Sequence, residues 1–180
     1  MTCITVVSDG TRCCMAADSQ ATNGGSVAVL SQSKIDRIGP FLVAAEGGIA
    51  VGQFVRHHAT PVLQGDLVEW AVKSFAPELR KHLESNTGMR MYEGRPEFPG
   101  QILIAKGADW ILMDTGGSVV EIAATFWAIG SGAPEARGCM WHAIQSEAFE
   151  ANNIAVRGVE AAIAMDNGCC GPVCIEWTEP

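Results

Sequence analysis

The sequence predicts an α+β fold made as a single domain over residues 1–180, in which two strand-rich blocks are each followed by a pair of helices. Three observations predict it. Short apolar, β-rich runs gather between residues 3 and 45 and again between 101 and 129. Helical periodicity marks 49–60, 66–84, 134–149 and 153–167. Clusters of Gly, Pro, Asn and Asp separate these segments. With 48% hydrophobic residues and no low-complexity tract, the 180-residue chain can bury a sizeable core and reads as globular rather than disordered.

Taken in order, residues 3–7 and 12–17 are two strands joined by Ser8-Asp9-Gly10-Thr11, whose Asp-Gly is a strong hairpin signal. Asn23-Gly24-Gly25 marks a turn, 26–30 a short strand, and 34–37 and 41–45 two strands around Gly39-Pro40. Residues 49–60 form a first helix. In the second, 66–84, Leu67, Val68, Ala71, Val72, Phe75 and Leu79 share one face, and Gln64-Gly65-Asp66 supplies a break and an N-cap. Residues 86–100, rich in Gly, Pro, Arg and Glu, read as a long loop. The runs 101–105, 110–114 and 119–123 make a meander, and a strand from Phe126 leads into Gly130-Ser131-Gly132. Helices over 134–149 and 153–167 follow, and 166–177 closes the chain as a turn and strand.

Composition narrows the function. A formal charge of −8, from 12 basic and 20 acidic residues, argues against nucleic acid or an anionic membrane as partner. No stretch approaches the ~20 apolar residues of a membrane span, and the N-terminus lacks a basic-then-apolar leader, so a cytoplasmic protein is expected. Seven cysteines lie mostly in apolar runs, which fits buried, reduced thiols. The adjacent pairs Cys13-Cys14 and Cys169-Cys170 lack the spacing of a zinc site. His57, His58 and His82 have no Ser or Asp context that suggests a triad and read as surface or helix-end residues.

The chemistry concentrates at the start of the chain. Removal of Met1 would leave Thr2 with a hydroxyl and a free amine on one residue, so that the amine can take the hydroxyl's proton directly or through water. Taken alone, Thr2 could simply begin an edge strand. Asp18, however, lies sixteen residues beyond it and Lys34 sixteen further, and the 3–17 hairpin returns Asp18 to the chain start. A lysine held there favours the neutral, basic form of the amine and stabilises the alkoxide of threonine. Cys3, next to Thr2 on a strand, should point away from it into the core.

These residues resemble those of the proteasome β-type family of N-terminal-nucleophile (Ntn) hydrolases, above all the bacterial HslV-type peptidases. The matching stretches are Thr2 with Met15-Ala16-Ala17-Asp18-Ser19-Gln20-Ala21-Thr22, Ser33-Lys34-Ile35, Ala45-Glu46-Gly47-Gly48-Ile49 and Ala128-Ile129-Gly130-Ser131-Gly132. The resemblance implies a four-layer αββα sandwich and threonine-type endopeptidase chemistry. It assigns Thr2 as nucleophile, Asp18 and Lys34 as its electrostatic partners, Gly47 (or Gly48) as oxyanion donor, and Ser131 and Asp166 as groups that orient the amine and water. Ala21, Ala45 and Ile49 would line an apolar pocket for the residue before the cut. The Thr22 backbone would pair with the extended peptide.

Three departures from the family's pattern accompany the match. Glu46 stands where a small residue is usual, Cys169 and Cys170 replace a serine and a glycine, and the 86–100 loop exceeds the family's connection. No cofactor is required for the chemistry. The carbonyls of Gly171, Cys174 and Trp177 occupy the places that hold a monovalent or divalent structural cation in HslV-type chains. Implied partners are a polypeptide substrate, copies of the chain in homo-oligomeric stacked rings, and a separate ATPase unfoldase. A catalytically inert ring subunit and an Ntn amidase acting on small amides are the alternative functions.

Overall fold

The structure, a computed structural model, describes residues 1–59, 66–86, 88–146 and 150–180. Its first six strands are β1 Ile4–Ser8, β2 Cys13–Ala17, β3 Gln20–Asn23, β4 Ser26–Val29, β5 Ile35–Ile38 and β6 Phe41–Ala45. Helix α1 spans Ile49–His57, and α2 Leu67–Trp70 runs through a π-helical turn, Ala71–Phe75, into α3 Ala76–Ser85. The second block comprises β7 Arg90–Tyr92, β8 Arg95–Glu97, β9 Ile102–Lys106, β10 Asp109–Met113, β11 Val119–Val120 and β12 Phe126–Ile129. Helices α4 Ala133–Ser146 and α5 Ala151–Met165 and strand β13 Cys174–Trp177 complete it.

Alternation along the strands dictates the layers. In β1 and β2, Ile4, Val6, Cys13, Met15 and Ala17 enter one core, whereas Val7, Cys14 and Ala16 enter another beneath α4 and α5. In β6 and β9, Leu42, Ala44, Leu103 and Ala105 meet that first core, whereas Phe41, Val43, Ile102 and Ile104 pack under α1–α3. Two antiparallel sheets, ordered β12-β1-β2-β13 and β11-β10-β9-β6-β5, therefore share a central core, and each buries its outer face under helices. This is the αββα sandwich the sequence implied. Removing bulk from the shared core, as in Met15→Ala, would cost about 2–5 kcal/mol.

The differences from expectation are local. Residues 20–23, for which the sequence predicts no strand, form β3, paired with β4 in a separate two-stranded ribbon. Within the predicted 86–100 loop, β7 and β8 make a hairpin whose tip carries Glu93 at φ 46° and Gly94 at φ 77°. The strand expected over 119–123 shrinks to Val119–Val120. Asp66 caps α2 as expected, accepting from Val68 N–H at 2.7 Å, while Gln64, Gly65 and residues 147–149 of the predicted helix 134–149 lie outside the described residues. No described helix is long and apolar enough to cross a membrane.

Candidate active site

The β1–β2 hairpin sets the first pair of the site. Its register, with Ile4 opposite Ala17, leaves Thr2 and Asp18 just beyond the paired residues at one end. Asp18 N–H donates to the Cys3 carbonyl at 3.1 Å, and Cys3 N–H donates back to Asp18 Oδ1 at 2.9 Å. Lys34 arrives from the other sheet, one residue before β5. Its Nζ donates to Asp18 Oδ1 at 2.6 Å and also to Thr2 Oγ1. Asp18 Oδ2 accepts from Gln20 N–H at 2.8 Å and Cys170 N–H at 3.4 Å. Asp18 is fully buried and the Lys34 side chain only 9% exposed, so both charges are stabilised by each other and by these donors rather than by water.

The second support comes from the strand that precedes α4. Ser131 Oγ accepts from Thr2 N–H at 3.2 Å, and Gly132 N–H donates to the Thr2 carbonyl at 3.3 Å. Gly130 adopts φ 99°, and a Cβ there would fall 2.1 Å from the Thr2 carbonyl oxygen, so only glycine fits. Asp166, which follows α5, lies within reach of the same serine. The Ser131 hydroxyl, with Gly168 N–H at 2.8 Å, holds the Asp166 carboxyl below the usual range.

Thr2 and Lys34 open onto a cleft of about 170 Å³. Ala21, Thr22, Ala45, Gly47, Gly48 and Ile49 line it, so every residue expected to contact substrate borders one cavity. Gly47 sits at φ 85° with its α-carbon against Pro99, where a Cβ would fall 2.1 Å from the proline carbonyl oxygen. Among the described residues, neither Gly47 N–H nor Gly48 N–H has a protein acceptor. Thr22 pairs with Val27 along one edge of β3, and the opposite edge has no strand beside it among the described residues.

The expectation of an apolar pocket needs correction. Glu46, the residue that raised the question of polarity, turns away, its Oε1 accepting from Gln101 N–H at 3.1 Å. The polarity comes instead from Asp36 and Arg56, which pair through Arg56 Nε and Asp36 Oδ1 at the cleft. Arg56 further donates to Gln32 Oε1 at 2.7 Å and to the Ser33 carbonyl at 2.8 Å. Burial raises the Asp36 carboxyl above the ordinary range, partly offset by Arg56. Sequence reading missed this pair. The strand 34–37, Lys-Ile-Asp-Arg, holds three charged residues, so nothing in the sequence singled out Asp36.

No protein-family model and no curated protein matches the sequence. Solved structures do. Thiobacillus denitrificans BPH, in a complex with epoxomicin, is 25% identical, with a TM-score of 0.76 over 98% of each chain. HslV from Trypanosoma brucei is 22% identical, with a TM-score of 0.70 over 99% of each chain. Anbu (ancestral beta-subunit) from Yersinia bercovieri is 10% identical, with a TM-score of 0.73 over 99% of this chain and 81% of that one. The chain has the fold of the HslV-like, proteasome-β-type Ntn hydrolases.

Within this HslV-like frame the two cysteine replacements become interpretable. Cys169 Sγ contacts Asp166 Oδ2 at 3.6 Å, where a serine would offer a stronger donor, and burial pushes its thiol up to about 12. All seven cysteines are free thiols, and Cys3 is fully buried under α4 and α5, as alternation predicted. Of the three carbonyls expected to hold a cation, that of Trp177 accepts from the positive Arg37 Nη2 at 2.6 Å. His58 and His82 meet with ring centroids 4.6 Å apart and planes tilted by 39° at the ends of α1 and α3, away from the cleft residues.

Proposed function

We propose that this chain is a threonine-type endopeptidase subunit of a self-compartmentalising ring, acting in the cytoplasm on unfolded polypeptides after Met1 is removed. The observation that carries the reading is the buried Lys34 ammonium that bridges Thr2 Oγ1 and Asp18 Oδ1 at the mouth of a cleft. A surface-binding or purely structural role gives no use for a buried cation on a threonine hydroxyl. Removal of Met1, whose residue is 59% exposed, frees the Thr2 amine beside Ser131. Thr2 Oγ1 then attacks the peptide carbonyl as the amine takes its proton, directly or through one water.

Lys34 offsets the developing charge on Oγ1, and Gly47 N–H, or Gly48 N–H, donates to the carbonyl oxyanion. The protonated amine gives its proton to the departing peptide amine. Water, deprotonated by the same amine, hydrolyses the ester on Thr2 and restores the enzyme. Ser131 and Asp166 keep the amine in place through these steps. Copies of the chain assemble as stacked rings, with a separate ATPase feeding substrate, as the likeness to HslV suggests.

The test is intact mass followed by a β-lactone probe. Expected are loss of one methionine, a single adduct on Thr2, and no hydrolysis above background by Thr2→Ala in an assembly of unchanged size. Retained Met1 with no adduct, or substantial turnover by Thr2→Ala, overturns the reading.

A further inference from the structure

The pair at the base of the cleft is built unlike an ordinary surface salt bridge. Asp36 is nine-tenths buried, and only its Oδ1 is bonded to Arg56; Oδ2 accepts no hydrogen bond among the described residues. Arg56 spends one N–H on each of Asp36, Gln32 and the Ser33 carbonyl. A guanidinium has five N–H donors, two on each terminal nitrogen, so one on Nη1 and one on Nη2 remain unassigned. The space in front of these groups is kept open by Gly52, which follows the turn into α1 and has no side chain to fill it. A Cβ there would lie 3.1 Å from Asp36 Oδ2 and 3.6 Å from Arg56 Nη2. An acceptor and a spare donor thus stand side by side, facing one opening, with a net charge of zero.

We propose that this pair selects a primary carboxamide, Gln or Asn, at the residue before the scissile bond. The inference rests on the peptidase reading and names its substrate class. The side-chain NH₂ donates to Asp36 Oδ2, and the side-chain carbonyl accepts from Arg56 Nη2. Lys or Arg would satisfy Oδ2 but press a second cation against Arg56. Glu or Asp would satisfy Arg56 but meet Asp36. Leu would cover both polar groups without pairing either, and sites that hydrogen-bond their substrate reject such analogues strongly. Ala21, Ala45 and Ile49 supply apolar walls for the methylene stem and carry no polar side-chain atom that would compete.

Fluorogenic peptides that differ only in that residue test the proposal on the methionine-free protein, with β-lactone labelling of Thr2 run alongside. Gln or Asn should exceed Leu, Lys and Glu by about tenfold or more in kcat/KM. Asp36→Leu should invert the order, Leu over Gln, a reversal that partial misfolding does not produce. If that variant does not fold, the ranking of the unaltered protein still decides. Thr2 labelling with any ranking that does not put Gln or Asn first, no turnover included, overturns this inference alone. Absence of both adduct and turnover overturns the peptidase reading and this inference with it.

Discussion

Lys34 and Asp36 stand two residues apart, yet the ion pairs they enter are built to opposite plans. In the Lys34–Asp18 pair both carboxylate oxygens are used, by Lys34 and Cys3 N–H on one side and Gln20 and Cys170 N–H on the other. In the Arg56–Asp36 pair one carboxylate oxygen is left open to the cleft. The first arrangement fixes a charge in place, since every lone pair that could wander is bound. The second leaves a polar atom facing the cleft, where water or a substrate group can pair with it. On the proposed reading, the saturated pair serves catalysis and the unfilled position serves recognition.

The largest effect should come from the charge that touches the nucleophile. Lys34→Met keeps the stem and removes the ammonium from Thr2 Oγ1. Loss of one preorganised electrostatic group is worth about 10²–10³ in rate. Single-turnover hydrolysis and the rate of Thr2 labelling should both fall by that much, and a loss of less than tenfold would break the assignment.

Stability should separate the pairs next. Asp18→Ala strands the buried Lys34 ammonium and several N–H donors, at a cost of about 3–5 kcal/mol. Asp36→Ala leaves Arg56 bonded to Gln32 and Ser33 and partly in water, so about 1–2 kcal/mol is expected. Urea midpoints measure the difference, and equal losses would erase the distinction drawn above.

The smallest effect is in titration and concerns Asp166. Its folded pKa lies below the unfolded value of about 3.9, chiefly through Ser131, so its contribution to stability is fully present above that value. The contribution is lost as pH falls through the lower, folded pKa. Asp36 has the opposite sign: its raised folded pKa imposes a cost that grows as pH rises from the unfolded value through the folded one. Ser131→Ala should raise the Asp166 pKa and leave that of Asp36 unmoved, as carboxyl NMR titration would show.

How much of this was legible in the sequence depended on whether a signal was local. Thr2, Asp18 and Lys34 were readable because a hairpin and two short connections translate fixed spacing into position. The layers were readable because alternation in β1, β2, β6 and β9 sends neighbouring residues to different cores. Ribbon β7–β8 was not: its residues are almost all exposed and carry no apolar alternation for a pattern to reveal. Nor was the cleft floor, since Asp36 and Arg56 are twenty residues apart and meet only when α1 lies on β5. Glu46 misdirected the question of pocket polarity because a sequence does not say which way a turn points its side chain.

The close fit of Gly130 against the Thr2 carbonyl also bears on when the enzyme can first act. Thr2 leaves the ribosome early, but its amide partner Ser131 is 129 residues away, and Cys170, which completes the Asp18 shell, is later still. Contacts of such separation form late in folding, after loop closure has been offset by the packing of both sheets. A partly synthesised or half-folded chain therefore has a threonine but no working nucleophile. On the proposed reading, topology alone keeps the hydrolase silent until nearly all of its own chain is in place.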